Sequence, residues 1–420
     1  MQTYAEILTY AIPFFIFLLM IEYGVSRWKN VEVIRSFDAI SSVSSGLTNT
    51  IKDVLGLAVV IISYTWMVKH LAVFEVKSTF AIYLLTFIGL DFAGYWSHRF
   101  EHEINIFWNR HIIHHSSEEF NLACALRQNV SALVSVFFFL LIPLAVLGIP
   151  AKVIAVLAPI HLFAQFWYHT RLINKMGFLE YIIVTPSHHR VHHAINDIYL
   201  DKNFSQIFIF WDKMFGTFQE ELLDEVPVYG VKKQVNTWNP ILINFQHLWQ
   251  LLKDAWYTKS IGDKFRVFFM PTGWRPSDRE LEAPIEFTRN PKDQVKYSTE
   301  GSLQMHLWMW FQLLFHIILM LYMFNVMGDF SFEIILGYGV FLFLSIFAYT
   351  SLMDHSYLAL PFEIAKMALG VSLIYVLGSW FNVDEFLPFG TVLLAVYLSI
   401  SLGLTIYFKA THFELQFSKV

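Results

Sequence analysis

Long apolar runs divide this chain, and most of them approach the length of a membrane-spanning helix. A helix needs about 20 mostly apolar residues to cross the hydrocarbon core of a bilayer. Nine runs come near that length: 7–21, 54–68, 78–96, 130–150, 153–167, 304–327, 334–353, 364–381 and 390–408. We predict nine hydrophobic segments, of which the fourth and fifth form a helical hairpin, broken at Pro150, that is either re-entrant or fully spanning.

A polar stretch, 170–303, separates the first five apolar runs from the last four. Within it, apolar residues recur at the spacing of a helix, at Ile241, Leu242, Phe245, Leu248, Trp249, Leu252 and Trp256. This pattern predicts an amphipathic helix. Its apolar face can lie on a membrane or pack on a protein core, and the pattern leaves both alternatives open.

The composition supports a membrane protein. The 420 residues are 56% hydrophobic and 15% charged, with a mean hydropathy of +0.48, whereas soluble domains carry roughly 25% charge. A net charge of -5 argues against nucleic acid as a partner. The single cysteine, Cys124, excludes an internal disulfide. We therefore predict an all-α, multi-span helical membrane protein.

The distribution of basic residues predicts the orientation of the chain. Basic residues in loops tend to stay on the cytoplasmic side. Arg27, Lys29 and Arg35 follow the first apolar run, and the stretch 171–303 holds 16 of the 29 Lys and Arg. Counting the predicted spans puts both on one side, so we expect a cytosolic polar stretch. We expect no cleavable signal peptide, because residues 1–6 carry no basic residue.

The histidines are concentrated in one part of the chain. Eleven of the 17 fall between His98 and His193. They form H-x3-H at 98–102 and H-x2-HH at both 111–115 and 189–193. Residues three or four apart share a helical face. Because each pattern follows an apolar run, we expect the three to converge on one pocket beneath the membrane.

Histidine is the commonest metal-ligating side chain in proteins. Together with His169, the three patterns supply nine aligned histidines, more than one ion coordinates, so we predict two metals. Nitrogen-rich sites suit iron, copper and zinc. Two irons would activate dioxygen, whereas zinc would polarise water. The zinc-protease spacing H-E-x-x-H is absent at His102, because residue 106 is Ile.

These histidine patterns resemble the fatty acid hydroxylase/sterol desaturase superfamily of membrane-bound di-iron oxygenases. The flanking words are similar to its alkylglycerol monooxygenase branch, which cleaves ether lipids. The words are NRHIIHHSSEEFNLACALRQ at 109–128, TPSHHRVHHAIN at 185–196, DKNFSQIFIFWDKMFGTF at 201–218 and GWRP at 273–276. The main similarity covers residues 85–220.

The resemblance implies a set of iron ligands. The first set is His98, His102, His111, His114 and His115, and the pair of metals is completed by His169, His189, His192 and His193. Gln165 stands where some relatives carry a histidine, which puts its role as a ligand in doubt. Asn121, Arg127 and Asp212 are weaker candidates, for which we favour structural roles.

Two carboxylates are candidate catalytic residues. Glu103 stands where the alkylglycerol branch has a glutamate, and it would orient a histidine or a polar group of the substrate. The alternative is a solvated carboxylate at a helix end. Asp91 lies two turns before His98 within an apolar run. A carboxylate there is a functional candidate by default, here as a partner of a ligand N–H.

The resemblance also implies a reaction. An O2-dependent oxidoreductase would place a hydroxyl on the ether-linked carbon of a membrane lipid, and the product would break into a fatty aldehyde and a glycerol derivative. The alkylglycerol branch takes its electrons from tetrahydrobiopterin. This chain has no H-P-G-G motif of a fused cytochrome b5 and no nucleotide motif. An external reductant is therefore expected, either the pterin or a separate electron-transfer protein.

These expectations divide the chain into three parts. Residues 1–84 would form N-terminal transmembrane helices, 85–300 the di-iron domain with its hairpin and cytosolic segment, and 301–420 C-terminal transmembrane helices. The protein would be integral to the endoplasmic reticulum or a bacterial inner membrane, with its active site facing the cytosol.

Two alternatives remain open. Within the superfamily, the same metals would serve a fatty acid, sterol or carotenoid hydroxylase or desaturase. From a different class, the histidines could belong to a metal transporter or to a structural zinc site. Transporters place ionisable groups mid-membrane along a path, whereas these histidines follow the ends of apolar runs, so we favour the enzyme.

Overall fold

The computed structural model describes residues 2–417, with side chains described for residues 6–411, and it confirms the predicted all-α fold. The helices in this part of the chain are α1 (Gln2–Trp28), α2 (Ser36–Val54), α3 (Tyr64–Leu71), α4 (Phe80–Glu103), α5 (Asn105–His115), α6 (Ile142–Val146), α7 (Ala151–Phe163), α8 (Pro186–His192), α9 (Phe210–Phe215), α10 (Pro240–Tyr257), α11 (Ile261–Phe269), α12 (Ser277–Glu282), α13 (Leu303–Val326), α14 (Phe332–Met353), α15 (Ala359–Leu377) and α16 (Gly390–Phe417). Two short strands, β1 (Val59–Val60) and β2 (Val134–Ser135), pair in parallel. Short 3₁₀ helices lie at Cys124–Leu126, Phe137–Leu141, Gly177–Tyr181, Pro291–Asp293 and Val383–Glu385.

Six helices in the described residues are long and apolar enough to cross a membrane, as expected of an integral membrane protein. They are Glu6–Trp28, Phe80–Glu103, Leu303–Val326, Phe332–Met353, Ala359–Leu377 and Gly390–Thr411. The predicted segment at 54–68 does not form such a helix, which corrects the count of nine. For 130–167 the re-entrant alternative is favoured, because the helices there are too short to span.

The run at 54–68 fails as a helix for local reasons. Helix α2 ends at Val54, and Gly56 takes a left-handed backbone conformation with φ of 64°. Four consecutive β-branched residues follow at 59–62, where side-chain crowding favours extended backbone. A new helix begins only after Ser63, whose hydroxyl accepts a hydrogen bond from Trp66 N. Hydropathy alone therefore overcounted the spanning helices.

The predicted hairpin is present in shortened form and lies along α4. Pro150 directly precedes α7 in an extended conformation, with φ of -63° and ψ of 137°, and so marks the turn between the two helices. Helix α6 approaches α4 so closely that a Cβ at Gly89 would lie 2.6 Å from Leu144 Cδ2. The Tyr64 hydroxyl donates to the Ile149 carbonyl at 3.0 Å, which ties α3 to the same turn.

The largest hydrophobic cluster joins α2 to the C-terminal helices α13–α16. Met309, Met320, Tyr338, Phe341 and Trp380 are among its fully buried members. Helix α2 also faces the histidine-rich part of the chain through a buried ion pair between Asp38 and Arg127, at 2.7 Å. The C-terminal helices thus form a scaffold that holds α2, and α2 supports the site.

The predicted amphipathic helix is confirmed as α10, and it packs on α5. Ile243 and Leu251 are buried, as the packing alternative requires. Trp249 and Trp256 face outward and are 61% and 79% exposed. The apolar residues of α10 are therefore divided between a protein contact and an outer surface.

Candidate metal centre

A one-residue break between α4 and α5 brings the first five histidines together. Ile104 is extended, with φ of -121° and ψ of 123°. The flanking backbone is held by a neighbouring segment, because Asn105 N donates to Met270 O at 3.0 Å. Helix α5 therefore folds back beside the end of α4, and His98 Nε2 lies 2.9 Å from His111 Nε2.

Helix α8 supplies three more histidines from a well-defined start. Pro186 occupies the first turn, where its missing N–H costs nothing. The preceding Thr185 N donates to His188 Nδ1 at 3.4 Å, so His188 serves the helix start and lies outside both histidine groups. His189, His192 and His193 occupy the remaining turn and the helix end.

All nine histidines predicted as metal ligands lie in two adjacent groups. Within each group, one ring nitrogen of every member lies within 4.8 Å of the others. The five-histidine group contains His98, His102, His111, His115 and His192, and the four-histidine group contains His114, His169, His189 and His193. The donors of each group are numerous enough to coordinate one metal ion.

The membership of the groups differs from the predicted ligand sets at two positions. The prediction placed His114 with the α4 and α5 histidines and His192 with those of α8, but the structure exchanges them. Adjacent residues on a helix point about 100° apart, whereas residues four apart share a face. His111 and His115 therefore stay together while His114 points to the other group.

The backbone sets the protonation of several imidazoles. Four Nδ1 atoms lie near carbonyl oxygens, in the pairs His98–Phe204 (2.7 Å), His192–Lys202 (2.9 Å), His169–Gln165 (3.0 Å) and His114–Arg127 (3.3 Å). A carbonyl can only accept, so each of these Nδ1 atoms carries the proton. Each Nε2 is then a bare lone pair directed into its group.

The facing Nε2 atoms explain why the groups fit metal ions. His169 Nε2 lies 2.8 Å from His189 Nε2 and 3.3 Å from His114 Nε2. The Nε2 atoms of His169 and His114 both present lone pairs, and two lone pairs 3.3 Å apart repel. A cation between them converts the repulsion into coordination. The donor set thus fits nitrogen-ligated metal ions.

Burial keeps these imidazoles neutral. Loss of solvation lowers the pKa of His115, His189 and His193 well below the usual value, and the neighbouring histidines lower it further. Burial lowers the pKa of His114 to about 3. Metals bind the neutral form of imidazole, so protons compete weakly for these nitrogens near neutral pH.

Two carboxylates that sequence reasoning missed lie beside the five-histidine group. Asp201 Oδ1 is 3.4 Å from His102 Nδ1, and Glu101 Oε2 is 3.5 Å from His111 Nδ1. A carboxylate at this position orients a ligand histidine and raises its basicity. Asp201 opens the word at 201–218, so its signal was present without an assigned role, whereas Glu101 carried no signal.

Asp91 lies away from both histidine groups. Its carboxylate is buried, contacts His161 Nε2 at 2.8 Å, and accepts hydrogen bonds from Ile207 N, Phe208 N and Trp211 Nε1. Asp91 therefore orders the 207–211 segment and His161.

Glu103 and Gln165 also lie outside both groups. Glu103 is 41% exposed and accepts from Arg99 Nε at 2.8 Å. Gln165 offers only its backbone carbonyl to His169, and its side chain donates to Gln206.

A cavity of about 280 Å³ opens onto the histidines from the polar part of the chain. His102, His115 and His192 of the five-histidine group and His193 of the four-histidine group line it. The remaining wall is mixed: it includes aromatic and basic side chains, the carboxylates Asp201 and Asp254, and several aliphatic residues, with Trp108, Trp274, Phe287, Lys232, Lys233 and Arg275 among its members. A small polar molecule can thus reach both groups without crossing the apolar hairpin.

The amino-acid sequence of this chain is similar to those of known proteins. Residues 83–217 match the fatty acid hydroxylase family. Human alkylglycerol monooxygenase is 39% identical over 308 residues, which cover 72% of this chain and 68% of that protein. The enzyme of the same name from Xenopus tropicalis is 37% identical over 309 residues, with the same coverage. Ornithine lipid hydroxylase OlsE from Rhizobium tropici is 27% identical over 135 residues, which cover 32% of this chain and 41% of that protein. No solved structure matches the chain.

Six candidate spanning helices in the described part of the chain and two groups of histidines beside them, together with these relatives, define a membrane-bound, O2-dependent oxidoreductase. Within that class, the chain belongs to the fatty acid hydroxylase family and groups with its alkylglycerol monooxygenases. This confirms the resemblance drawn from the histidine patterns and their flanking words.

Proposed function

We propose that this protein cleaves the O-alkyl bond of alkylglycerols by hydroxylating the ether-linked carbon. One oxygen atom of O2 enters the C–H bond, and the other leaves as water with two electrons and two protons from a reductant. The resulting hemiacetal breaks its C–O bond to give a fatty aldehyde and a free glycerol hydroxyl. The observation that carries the proposal is the pair of histidine groups with inward-facing Nε2 atoms.

The two groups would each hold one iron. The ligands would be the five histidines around His115 and the four around His189, with Asp201 and Glu101 orienting His102 and His111. When bound, the irons supply O2 activation and the oxidising power that breaks the C–H bond. The chain itself supplies neutral ligands, a buried site and carboxylates that keep the imidazoles oriented.

The substrate and the reductant would approach from different sides. The apolar hairpin and α4 favour an alkyl chain that enters from the bilayer, whereas the cavity beside His102 favours a polar reactant. Tetrahydrobiopterin fits the expectation of a small external reductant, and an electron-transfer protein is the alternative. Lys29 Nζ lies 3.2 Å from Leu172 O, so the basic end of α1 borders the histidine region, which supports a cytosolic site in the endoplasmic reticulum or a bacterial inner membrane.

Asp91 and Glu103 are proposed as positioning residues. Asp91 would act through His161 and the 207–211 segment, which leads into α9 beside the site. Glu103 would act through Arg99 and the turn into α5, since its carbonyl accepts from Thr272 N. Asp91→Asn and Glu103→Gln should each change the KM for the lipid more than the iron content.

The decisive experiment combines activity with a metal count. Purified protein receives an alkylglycerol, O2 and tetrahydrobiopterin, and fatty aldehyde and iron per chain are measured in the same sample. Pterin-dependent aldehyde with two irons supports the proposal. Two irons without aldehyde from any alkylglycerol would move the substrate to another lipid, as the match to an ornithine lipid hydroxylase allows. Absence of iron, or activity without O2, would contradict it.

A further inference from the structure

A second and larger cavity lies between α1 and α13, outside the histidine site. Its volume is about 1010 Å³, at the upper end of the roughly 300–1,000 Å³ range of ligand sites. The deep part is apolar and is lined by Ile16 and Leu19 from α1 and by Leu313 and Ile317 from α13. None of the nine grouped histidines lines this cavity.

The cavity exists because α1 packs loosely on the other spanning helices. Within the most apolar stretch of α1 only 6% of the residues are buried, compared with 50% within that of α13. Its firm attachment lies at one end, where Glu22 accepts from Leu122 N at 2.7 Å and from Thr170 Oγ1 at 2.6 Å. Between the two helices remains an apolar space in the part of the chain that spans the hydrocarbon.

The outer end of the same cavity is polar and carries excess positive charge. Its charged lining consists of Arg27, Arg35 and Glu32. Arg35 already donates to Tyr297 O and lies within 4.0 Å of the carboxylates of Glu118 and Glu119, so Arg27 is the cation left for a ligand. The Arg27 side chain is exposed, and its guanidinium has no hydrogen-bond or ion-pair partner among the described residues. An unpaired guanidinium above an apolar space complements an anionic group attached to a hydrocarbon chain.

We propose that this cavity binds an anionic membrane lipid, with a chain between α1 and α13 and a phosphate headgroup at Arg27 and Arg35. The lipid would be distinct from the substrate, because none of the grouped histidines lines the cavity that holds it. By filling the space beside α1, it would reinforce the Glu22 contacts next to His169.

Lipid binding provides a test that does not depend on the reaction catalysed. Delipidated protein in detergent is mixed with phosphatidylglycerol, with phosphatidylcholine of identical chains, or with inorganic phosphate, and bound lipid is counted by native mass spectrometry. We expect one phosphatidylglycerol per chain, bound more tightly than phosphatidylcholine, and no competition from phosphate alone. Equal binding of both lipids, or binding of phosphate alone, would overturn the proposal.

Matched variants locate the site. Arg27→Gln should weaken phosphatidylglycerol binding about fivefold, since one juxtamembrane cation is worth roughly 1 kcal/mol, whereas Lys29→Gln, with the same charge change outside the cavity, should not. Leu314→Trp fills the apolar end and should remove the bound lipid, whereas Leu307→Trp on the same helix should retain it. Binding unaffected by Arg27→Gln and by Leu314→Trp would contradict the assignment.

Discussion

Buried polar groups occur in both the C-terminal helices and the histidine region, but their partners differ in kind. In the C-terminal helices, Lys366 Nζ lies 2.5 Å from Glu363 Oε1 and 2.8 Å from Ser401 Oγ. Gln312 Nε2 donates to the same hydroxyl at 2.9 Å. Positive charge there meets negative charge, so the charges of this network are balanced within the protein.

In the histidine region, acceptors meet acceptors. His169 Nε2 faces His114 Nε2 at 3.3 Å, although the Nδ1 protons of the two rings are donated to the carbonyls of Gln165 and Arg127. Chemically identical groups cannot satisfy one another once their protons are placed elsewhere. Burial of polar groups therefore does not identify a site by itself. What identifies it is a set of buried groups that is complete only when a cation is added.

The largest expected effect comes from the two histidines that the structure exchanges between groups. His114→Ala should empty the four-histidine group and His192→Ala the five-histidine group, and each should abolish activity. Metal affinity should fall by more than the roughly 100-fold seen when an outer partner of a ligand is lost. Iron per chain and aldehyde formation are the measurements. Exposed His70→Ala is the control, and normal turnover in either cluster variant would refute the shared site.

The next effect concerns the stability of the C-terminal network. Lys366→Met leaves Glu363 as a buried, unpaired charge, which should lower the free energy of unfolding by about 3–5 kcal/mol. The double variant Lys366→Met/Glu363→Leu should recover most of that loss, because both charges are gone. Unfolding of the purified protein is followed with iron content. Unchanged stability in Lys366→Met would contradict the predicted role of the pair. Loss of iron in that variant would show that the two regions are not independent.

A smaller effect is expected from the carboxylate beside His102. Asp201→Asn keeps the shape but removes the charge, and should reduce metal affinity by about 10- to 100-fold. Iron retention during titration with a chelator measures the change. Asp293→Asn, an exposed matched substitution, should retain metal like the unmodified protein. If both variants hold iron equally well, Asp201 does not act through the ligand histidine.

The most gradual effect is a pH dependence of the metal-free protein. Burial lowers the pKa of His114 to about 3 and holds that of His189 and His193 well below the usual value. Below about pH 6.5 the unfolded chain takes up protons that the folded chain excludes. The folded state therefore loses stability as the pH decreases. Hydrogen exchange in α5 and α8, corrected for intrinsic rates, should show weaker protection at pH 5 than at pH 7. Helix α14 should change less, and an equal loss there would contradict a local origin.

Much of the site could be predicted from the sequence, because helical spacing is a local property. The pairs His98/His102 and His189/His193 are four residues apart and share a group, as their spacing requires. Pro150 likewise predicted the turn of the hairpin. Hydropathy was less reliable at 54–68, because it counts apolar residues and ignores the preference of β-branched residues for extended backbone.

From the sequence alone one could name the nine histidines that lie in the two groups and predict which of them share a helical face. Only the tertiary structure decided which faces meet, because the break at Ile104 and the packing of α8 against α5 are set by contacts distant in sequence. Those contacts exchange His114 and His192 between groups and bring Asp201 beside His102. The distinction is physical, since periodicity fixes the direction of a side chain from its own helix, whereas coordination requires lone pairs from several helices to converge.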